Sequence, residues 1–347
     1  MFVTGATGLI GSATARALAR RGATVVALIE PGADKGNLEG LGVEEVPGDV
    51  RDFAAVRKAL EGCRTAFHVA AFYRFWARDK RQFYSVNVEG TRNVLVAARQ
   101  AGTERIVYTS TVGTLSTSDH AGSSADETSF PDIAHLFGAY KRSKYVAEHE
   151  VLRAAAEGLP VSLVLPTFPL GPGDRGPTPT GKVVLDFLNG RLPGYVDTVL
   201  NVVHVDDVAA GHLLAMERGE IGRSYILGGE NMEMRMLLEH LGSQTGLRVP
   251  ALKVPRAVAL SVAGLSEAVE GNLLRRHPAV PLEAARMSTT RMAFDDSRAR
   301  AELGYISRPA ADAIRDSVSW FRESGYVTRR SRHGRLGRRH QAVPAGS

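Results

Sequence analysis

Only one cysteine, Cys63, occurs among the 347 residues, so no disulfide can form within the chain, and a reducing compartment is expected. Long apolar runs are also missing; none approaches the ~18 residues that a membrane-spanning helix needs. No signal segment is expected, because Met1 already falls in what reads as the first strand, and the expected location is cytoplasmic. An excess of one charge is lacking over most of the chain. The totals are 43 Lys+Arg against 37 Asp+Glu, a net +6. Six arginines, at 329, 330, 332, 335, 338 and 339, fall in the last 19 residues, which hold no Asp or Glu. Without them, 37 basic residues balance 37 acidic ones. The pI of about 9.5 therefore describes residues 329–347. That segment has too few apolar side chains to bury and reads as a basic disordered tail. No specific nucleic-acid partner is expected of the rest. At 44% hydrophobic and 23% charged, the chain as a whole does not have the composition of a disordered one, and its 36 glycines lack a collagen period.

What is present is an alternation of short β-branched runs with longer helix-like stretches. Phe2–Thr4, Val25–Ile29, Val43–Val46, Ala66–Val69, Arg105–Ser110 and Val161–Leu165 read as strands. Asp52–Glu61, with Asp52 as cap, and Gln82–Gln100 read as helices between them. This order predicts an α/β fold with a doubly wound parallel sheet. The first strand leads into Gly5-Ala6-Thr7-Gly8-Leu9-Ile10-Gly11 and then a helix. In that context Gly5 permits the turn, Gly8 lets backbone approach a pyrophosphate, and Gly11 allows close helix–strand packing. Only about four residues precede Gly5, which is short for a strand at the centre of a sheet. Glu30, at the tip of the second strand, can accept hydrogen bonds from ribose hydroxyls and repels an added phosphate. It favours NAD, while Lys35 nearby keeps NADP open.

Tyr140-Lys141-Arg142-Ser143-Lys144 opens a helix-like stretch reaching about Ala156, and spacing i, i+4 places Tyr140 and Lys144 on one face. The strand ending in Tyr108-Thr109-Ser110-Thr111 brings hydroxyls to the carboxyl edge of the sheet, where ligands bind in open α/β folds.

On these residues the chain resembles the extended short-chain dehydrogenase/reductase family. Further matching pieces are Gly48-Asp49-Val50-Arg51-Asp52, His68-Val69-Ala70-Ala71, Asn87-Val88-Glu89-Gly90-Thr91, His204-Val205-Asp206-Asp207-Val208-Ala209 and Tyr225-Ile226-Leu227-Gly228-Gly229. Pro177–Gly181, Asp186–Gly190 and Gly228–Asn231 make it similar to the hopanoid-associated sugar epimerases. The resemblance spans about residues 1–326 and implies a Rossmann domain over 1–166. A smaller C-terminal substrate-binding domain is implied over 167–328, with 201–216 returning to the Rossmann sheet.

The resemblance also implies roles. Tyr140 acts as acid/base, Lys144 lowers its pKa and grips the cofactor ribose, and Thr111 holds the substrate oxygen, with Ser110 as the alternative. Gly5, Gly8, Leu9, Ile10, Gly11, Glu30, Asp49, Val50, Ala70, Ala71, Asn87, Thr109, Tyr140, Lys144 and Pro166 are the implied cofactor contacts. Leu165-Pro166-Thr167 stands where the family carries Asn-Pro-Ser, so an amide near the substrate is lost. The implied activity is NAD-dependent epimerisation of a nucleotide sugar. A dihydroflavonol-reductase-like ketone reductase using NADP is the alternative, and a cofactor-binding scaffold without turnover is a third reading. A 4,6-dehydratase is disfavoured because Val112-Gly113 replaces the Asp-Glu pair such enzymes carry after the threonine. A homodimer is implied by the family.

The remaining segments give weaker signals. The loop Asp119–Phe137 suits a lid, and Tyr73, Arg74 and Trp76 either touch substrate or pack an interface. His204, Asp206, Asp207 and His212 are not expected to bind a metal; Asp206 is expected to cap a helix. Pro255–Leu274 is amphipathic without a strongly basic face and is expected to pack into the core, with weak peripheral membrane contact as the alternative.

Overall fold

The computed structural model describes residues 1–117, 120, 122–131 and 136–328. The basic tail 329–347 and parts of the loop 119–137 lie outside the described residues. Among the described residues the strands are β1 (Phe2–Thr4), β2 (Val26–Ile29), β3 (Glu44–Pro47), β4 (Thr65–His68), β5 (Arg105–Thr109), β6 (Val161–Pro166), β7 (Phe168–Leu170), β8 (Val199–His204), β9 (Ser224–Leu227) and β10 (Glu230–Glu233). The larger sheet is parallel, in the order β3-β2-β1-β4-β5-β6-β9. The smaller sheet is β10-β8-β7, antiparallel between β10 and β8 and parallel between β8 and β7.

The helices of the first half are α1 (Leu9–Arg20), α2 (Phe53–Leu60), α3 (Arg81–Tyr84), α4 (Gly90–Gln100) and α5 (Ala139–Ala156). A π-turn at Ser85–Glu89 joins α3 to α4. The second half adds α6 (Pro179–Leu188), α7 (Val205–Arg218), α8 (Met234–Thr245), α9 (Arg256–Ser266), α10 (Leu282–Ser288) and α11 (Ala310–Glu323).

Period-two burial explains why the large sheet has helices on both faces. Along β5, Ile106 and Tyr108 enter one core layer and Val107 the other. Along β6, Leu163 and Leu165 share the first layer while Val164 joins the second. β1 is only three residues long, yet it is central, fully buried and paired on both sides, Val3 with Ala27 and with Phe67. The sheet order reverses between β1 and β4, which opens a crevice at their carboxyl ends. A third core packs α6, α8 and α11 against the small sheet through Leu188, Leu241, Ile314 and Phe321.

Local details follow from side-chain chemistry. Asp52 caps α2, accepting from the amides of Ala54 and Ala55 at 2.9 and 3.3 Å. For α7 the cap is His204 rather than Asp206: His204 Nδ1 accepts from the Asp206 amide at 3.0 Å. Asp206 lies in the first turn, where its charge suits the helix dipole. The segment 201–216 divides between the sheets. Its first residues run in β8 of the small sheet, α7 packs against α1, and β9 is the strand that then joins the large sheet.

The segment after Pro255 departs from its expected core packing. Within α9 Ala263 is the buried residue, and Gly271 is buried in the π-turn Glu267–Leu273 that follows. Small residues face the protein, while Val262 and Leu265 are more than half exposed. No helix among the described residues is long and apolar enough to cross a membrane.

Candidate active site

A groove of about 590 Å³ follows the crevice at the carboxyl edge of the large sheet. Its floor begins at the glycine turn. Gly5 adopts φ +69°, and a Cβ there would lie 2.7 Å from the Ala70 amide nitrogen. A Cβ on Gly11 would lie 2.0 Å from the Gly5 carbonyl oxygen, so helix and turn meet there without a side chain between them. Gly8 differs, since a Cβ would meet only the Gly5 oxygen, at 3.4 Å. The bare surface at Gly8 is thus not demanded by the protein's own packing. α1 has no side-chain cap, and Gly8, Leu9, Ile10 and Gly11 line the groove at its N-terminus. A cradle of this form, with a helix dipole behind it, fits a pyrophosphate.

At the far end, Glu30, Asp49 and Val50 line the groove. Asp49 accepts from Arg51 Nε at 2.9 Å and from the other guanidinium nitrogen at 2.6 Å, which holds its carboxyl below the usual range. Lys35 is engaged by Glu45 at 2.7 Å. Ala70, Ala71 and Pro166 also reach the groove.

A buried polar network holds this floor in place. The Thr4 hydroxyl bonds His68 Nδ1 at 2.7 Å and accepts from the amides of Val69 and Ala70, both at 3.1 Å. His68 Nε2 lies 2.9 Å from Thr91 Oγ1, whose own proton goes to the Asn87 carbonyl at 2.6 Å. Thr91 must therefore accept from His68, which fixes the neutral Nε2–H tautomer. Burial agrees, pushing the imidazole pKa down to about 3.

Asn87 requires a correction. It does not line the groove; its Oδ1 accepts from the Phe72 amide at 2.7 Å and its Nδ2 donates to Ser143 at 2.9 Å. Both ends of the amide are consumed in tying the loop after β4 to α5. Thr109 is split in its role: its hydroxyl bonds His212 Nε2 at 2.8 Å, and its carbonyl accepts from Lys144 at 2.7 Å.

Tyr140 and Lys144 sit one turn apart on α5, both buried and both lining the groove. Lys144 Nζ donates to the Tyr108 hydroxyl at 2.8 Å. Burial pushes its pKa down to about 7 against the pull of Glu148. Tyr140 is also dominated by burial, which raises the phenol well above its ordinary value while the Thr111 hydroxyl lowers it. The expected lowering by Lys144 is not seen in this arrangement, because the ammonium is turned toward Tyr108 and Thr109. Ser110 donates to Glu148, as does Thr114 at 2.9 Å, so the hydroxyl free to face Tyr140 belongs to Thr111. Tyr73 packs against Tyr140 in a tilted arrangement, ring centroids 4.8 Å apart and planes at 43°, and Phe72 meets Phe83 edge-on at 4.9 Å.

Three neighbours escaped the reading of the sequence. Glu148 lies one turn beyond Lys144, and that spacing is a signal the sequence does contain. Tyr108 was noted only as part of its strand. Glu283, from α10, places its carboxylate at the amides of Ala139, Tyr140 and Lys141, and burial pushes it up to about 7. No local pattern marks it. His204, Asp207 and His212 disperse to Asp316, Arg308 and Thr109 respectively.

The profile of the NAD dependent epimerase/dehydratase family matches residues 1–228. The chain belongs to this family. It is an enzyme of the extended short-chain dehydrogenase/reductase type, and NAD is the cofactor of the family. A putative dihydroflavonol 4-reductase from Synechocystis is 43% identical, covering 94% of this chain and 95% of its own. Sterol demethylase protein B from Methylococcus capsulatus is 36% identical over 94% of this chain and 99% of its own. Among solved structures, a nucleoside-diphosphate-sugar epimerase from Pseudomonas aeruginosa has a TM-score of 0.78 at 28% identity, over 94% of this chain and 98% of that one. The family's dinucleotide fits the groove: uncapped helix amides and Gly8 suit its pyrophosphate, and Glu30 suits a ribose diol.

Proposed function

We propose that the protein is a dinucleotide-dependent oxidoreductase interconverting a secondary alcohol and a ketone on a largely apolar ring framework. The observation that carries this reading is the Tyr73 ring tilted against Tyr140, next in the chain to Phe72, which packs edge-on against Phe83. That aromatic wall offers apolar surface at the reacting end of the groove. The relatives named for dihydroflavonol and sterol chemistry support it.

When bound, the dinucleotide supplies or accepts hydride. The protein's own part is to handle a proton. Tyr140 moves it at the substrate oxygen, and the Thr111 hydroxyl holds the same oxygen in line. Lys144, fixed by Tyr108 and Thr109 and lining the groove one turn beyond Tyr140, would hold the cofactor ribose. Glu148 removes Ser110 from competition for the substrate. Tyr140, Lys144 and Ser110 are buried, and Thr111 is partly buried at the groove wall.

Nucleotide-sugar epimerisation with retained NAD is the second reading, favoured by Glu30 and by the epimerase from Pseudomonas aeruginosa. One experiment separates the two. Purified protein is denatured to identify released dinucleotide, then assayed with NADH or NADPH against cyclic ketones and with NAD against UDP-sugars. Steady dinucleotide oxidation by a ketone, lost in Tyr140→Phe, is expected. Sugar interconversion without net dinucleotide consumption would overturn the oxidoreductase reading.

A further inference from the structure

We propose that the face carrying α9 and the π-turn after it is a docking surface for an anionic lipid bilayer. Val258, Val262, Leu265, Val269 and Leu273 recur at helical spacing, and all are exposed. Val262, Leu265 and Leu273 are 53%, 67% and 76% exposed, values that place them outside any core. Five such side chains along one stripe form a continuous apolar strip, not scattered surface residues. The helix rests on the protein by its small side, through Ala263 and Gly271.

Charge identifies the occupant. The acids of this segment stay charged but turn toward the loop that follows: Glu267 accepts from the Leu282 amide at 2.9 Å, and Glu270 accepts from the Ala279 amide at 2.7 Å. At the other end the chain turns out through Arg275, held at φ +50°, and leaves Arg275 and Arg276 exposed beside Leu273 and Leu274. Next to them opens a cavity of about 650 Å³ whose wall includes Trp76, His277 and Arg78, together with Arg81, which is paired with Asp79 at 3.0 Å. Trp76 and His277 meet edge-on, 5.4 Å between centroids.

An aliphatic strip ending in arginines and an indole matches a bilayer interface. The aliphatic groups enter the acyl boundary, the guanidiniums meet phosphates, and the indole sits at headgroup level. The cavity shares Phe72 and Arg74 with the dinucleotide groove, so docking sets the mouth of the candidate active site at the lipid surface. The proposal holds whichever reaction the site performs.

The test is co-sedimentation of the full-length chain with vesicles of phosphatidylcholine, with and without phosphatidylglycerol. Binding to the anionic vesicles is expected. It should fall at least about tenfold in the Val262→Asp/Leu265→Asp protein and roughly thirtyfold in Arg275→Gln/Arg276→Gln. Melting temperature and dinucleotide affinity serve as controls for folding. No binding by the unaltered protein would overturn the proposal, as would equal binding to neutral vesicles. Binding that survives both pairs of substitutions belongs to another part of the chain, such as the arginine-rich segment after residue 328, and overturns it too. So does a dimer, seen by light scattering, that the aspartate substitutions dissolve.

Discussion

Glu283 lies so close to Gly138 that a Cβ on the glycine would sit 1.9 Å from the Glu283 carboxyl carbon. Gly138 also holds φ +86° and gives α5 no side-chain cap. The carboxyl group from α10 fills the space beside that turn, near the amides of Ala139, Tyr140 and Lys141, with its Oε1 buried and without a hydrogen-bond partner. The start of the helix bearing Tyr140 and Lys144 is therefore packed against a distant part of the chain. Gly138→Ala should destabilise by about 3 kcal/mol, combining the left-handed backbone with the clash. Adding Glu283→Ala should recover part of that loss, since the clash goes and the strain stays. Urea unfolding of the four proteins measures the coupling; strictly additive effects would disprove the contact.

The same carboxyl gives a pH signature. Its pKa is pushed up to about 7 in the folded chain, so between the unfolded value and 7 the folded state holds a proton that the unfolded state releases. Its contribution to stability is complete below the unfolded value and disappears as pH rises through 7. Glu283→Gln mimics the protonated acid and should lack this dependence. The unaltered protein should lose on the order of 1–3 kcal/mol relative to Glu283→Gln between pH 4.5 and 8, read from urea melts at each pH.

Gly8 and Gly11 should fail in different ways. Gly11→Ala places a methyl 2.0 Å from the Gly5 oxygen and should cost about 3 kcal/mol of stability. Gly8→Ala meets only an ordinary contact, so its melting temperature should stay near that of the unaltered protein. Its methyl stands where the pyrophosphate approaches, and dinucleotide affinity should drop at least about tenfold. Thermal melts and dinucleotide titrations distinguish the two; an equal loss of stability would contradict the geometry.

The features legible in the sequence were those written in local periods. Period-two runs located the strands, and the i, i+4 spacing placed Tyr140 and Lys144 on one face of α5. The glycine spacing gave the groove its floor. Glu283 was invisible because its role exists only once α10 is folded against α5. Asn87, whose motif matches the family, has a structural side: the Phe72 amide and Ser143 use both ends of its side chain, and that pairing exists only in the folded chain. In α9 the period was right and the side was wrong. Hydrophobic periodicity shows that a helix has two faces, and the small residues Ala263 and Gly271 decided which face the protein covered.

Cofactor choice should turn on Glu30. It lines the groove where the adenosine ribose is expected, and Lys35, the nearby cation that kept NADP open, is held by Glu45 at 2.7 Å. Glu30→Arg replaces a group that repels a phosphate with one that pairs with it. The ratio of NADP to NAD affinity should rise by at least about tenfold, measured by fluorescence titration with each dinucleotide. An unchanged ratio would remove Glu30 from the discrimination.

Lys144 should show the opposite pH trend to Glu283. Its ammonium is buried with two acceptors, the Tyr108 hydroxyl and the Thr109 carbonyl, and its pKa falls to about 7. Between pH 7 and the ordinary lysine value of about 10.4, the unfolded chain binds a proton that the folded chain has released. Stability carried by this group therefore rises with pH across that window, and the cost of the buried charge is felt in full below it. Lys144→Met removes the titration. Relative to that variant, the unaltered protein should gain stability steadily from pH 7 to 10, by on the order of 1–3 kcal/mol in urea melts. A constant difference across the window would mean that Lys144 keeps its proton throughout, and the ammonium would then be fully charged at every working pH.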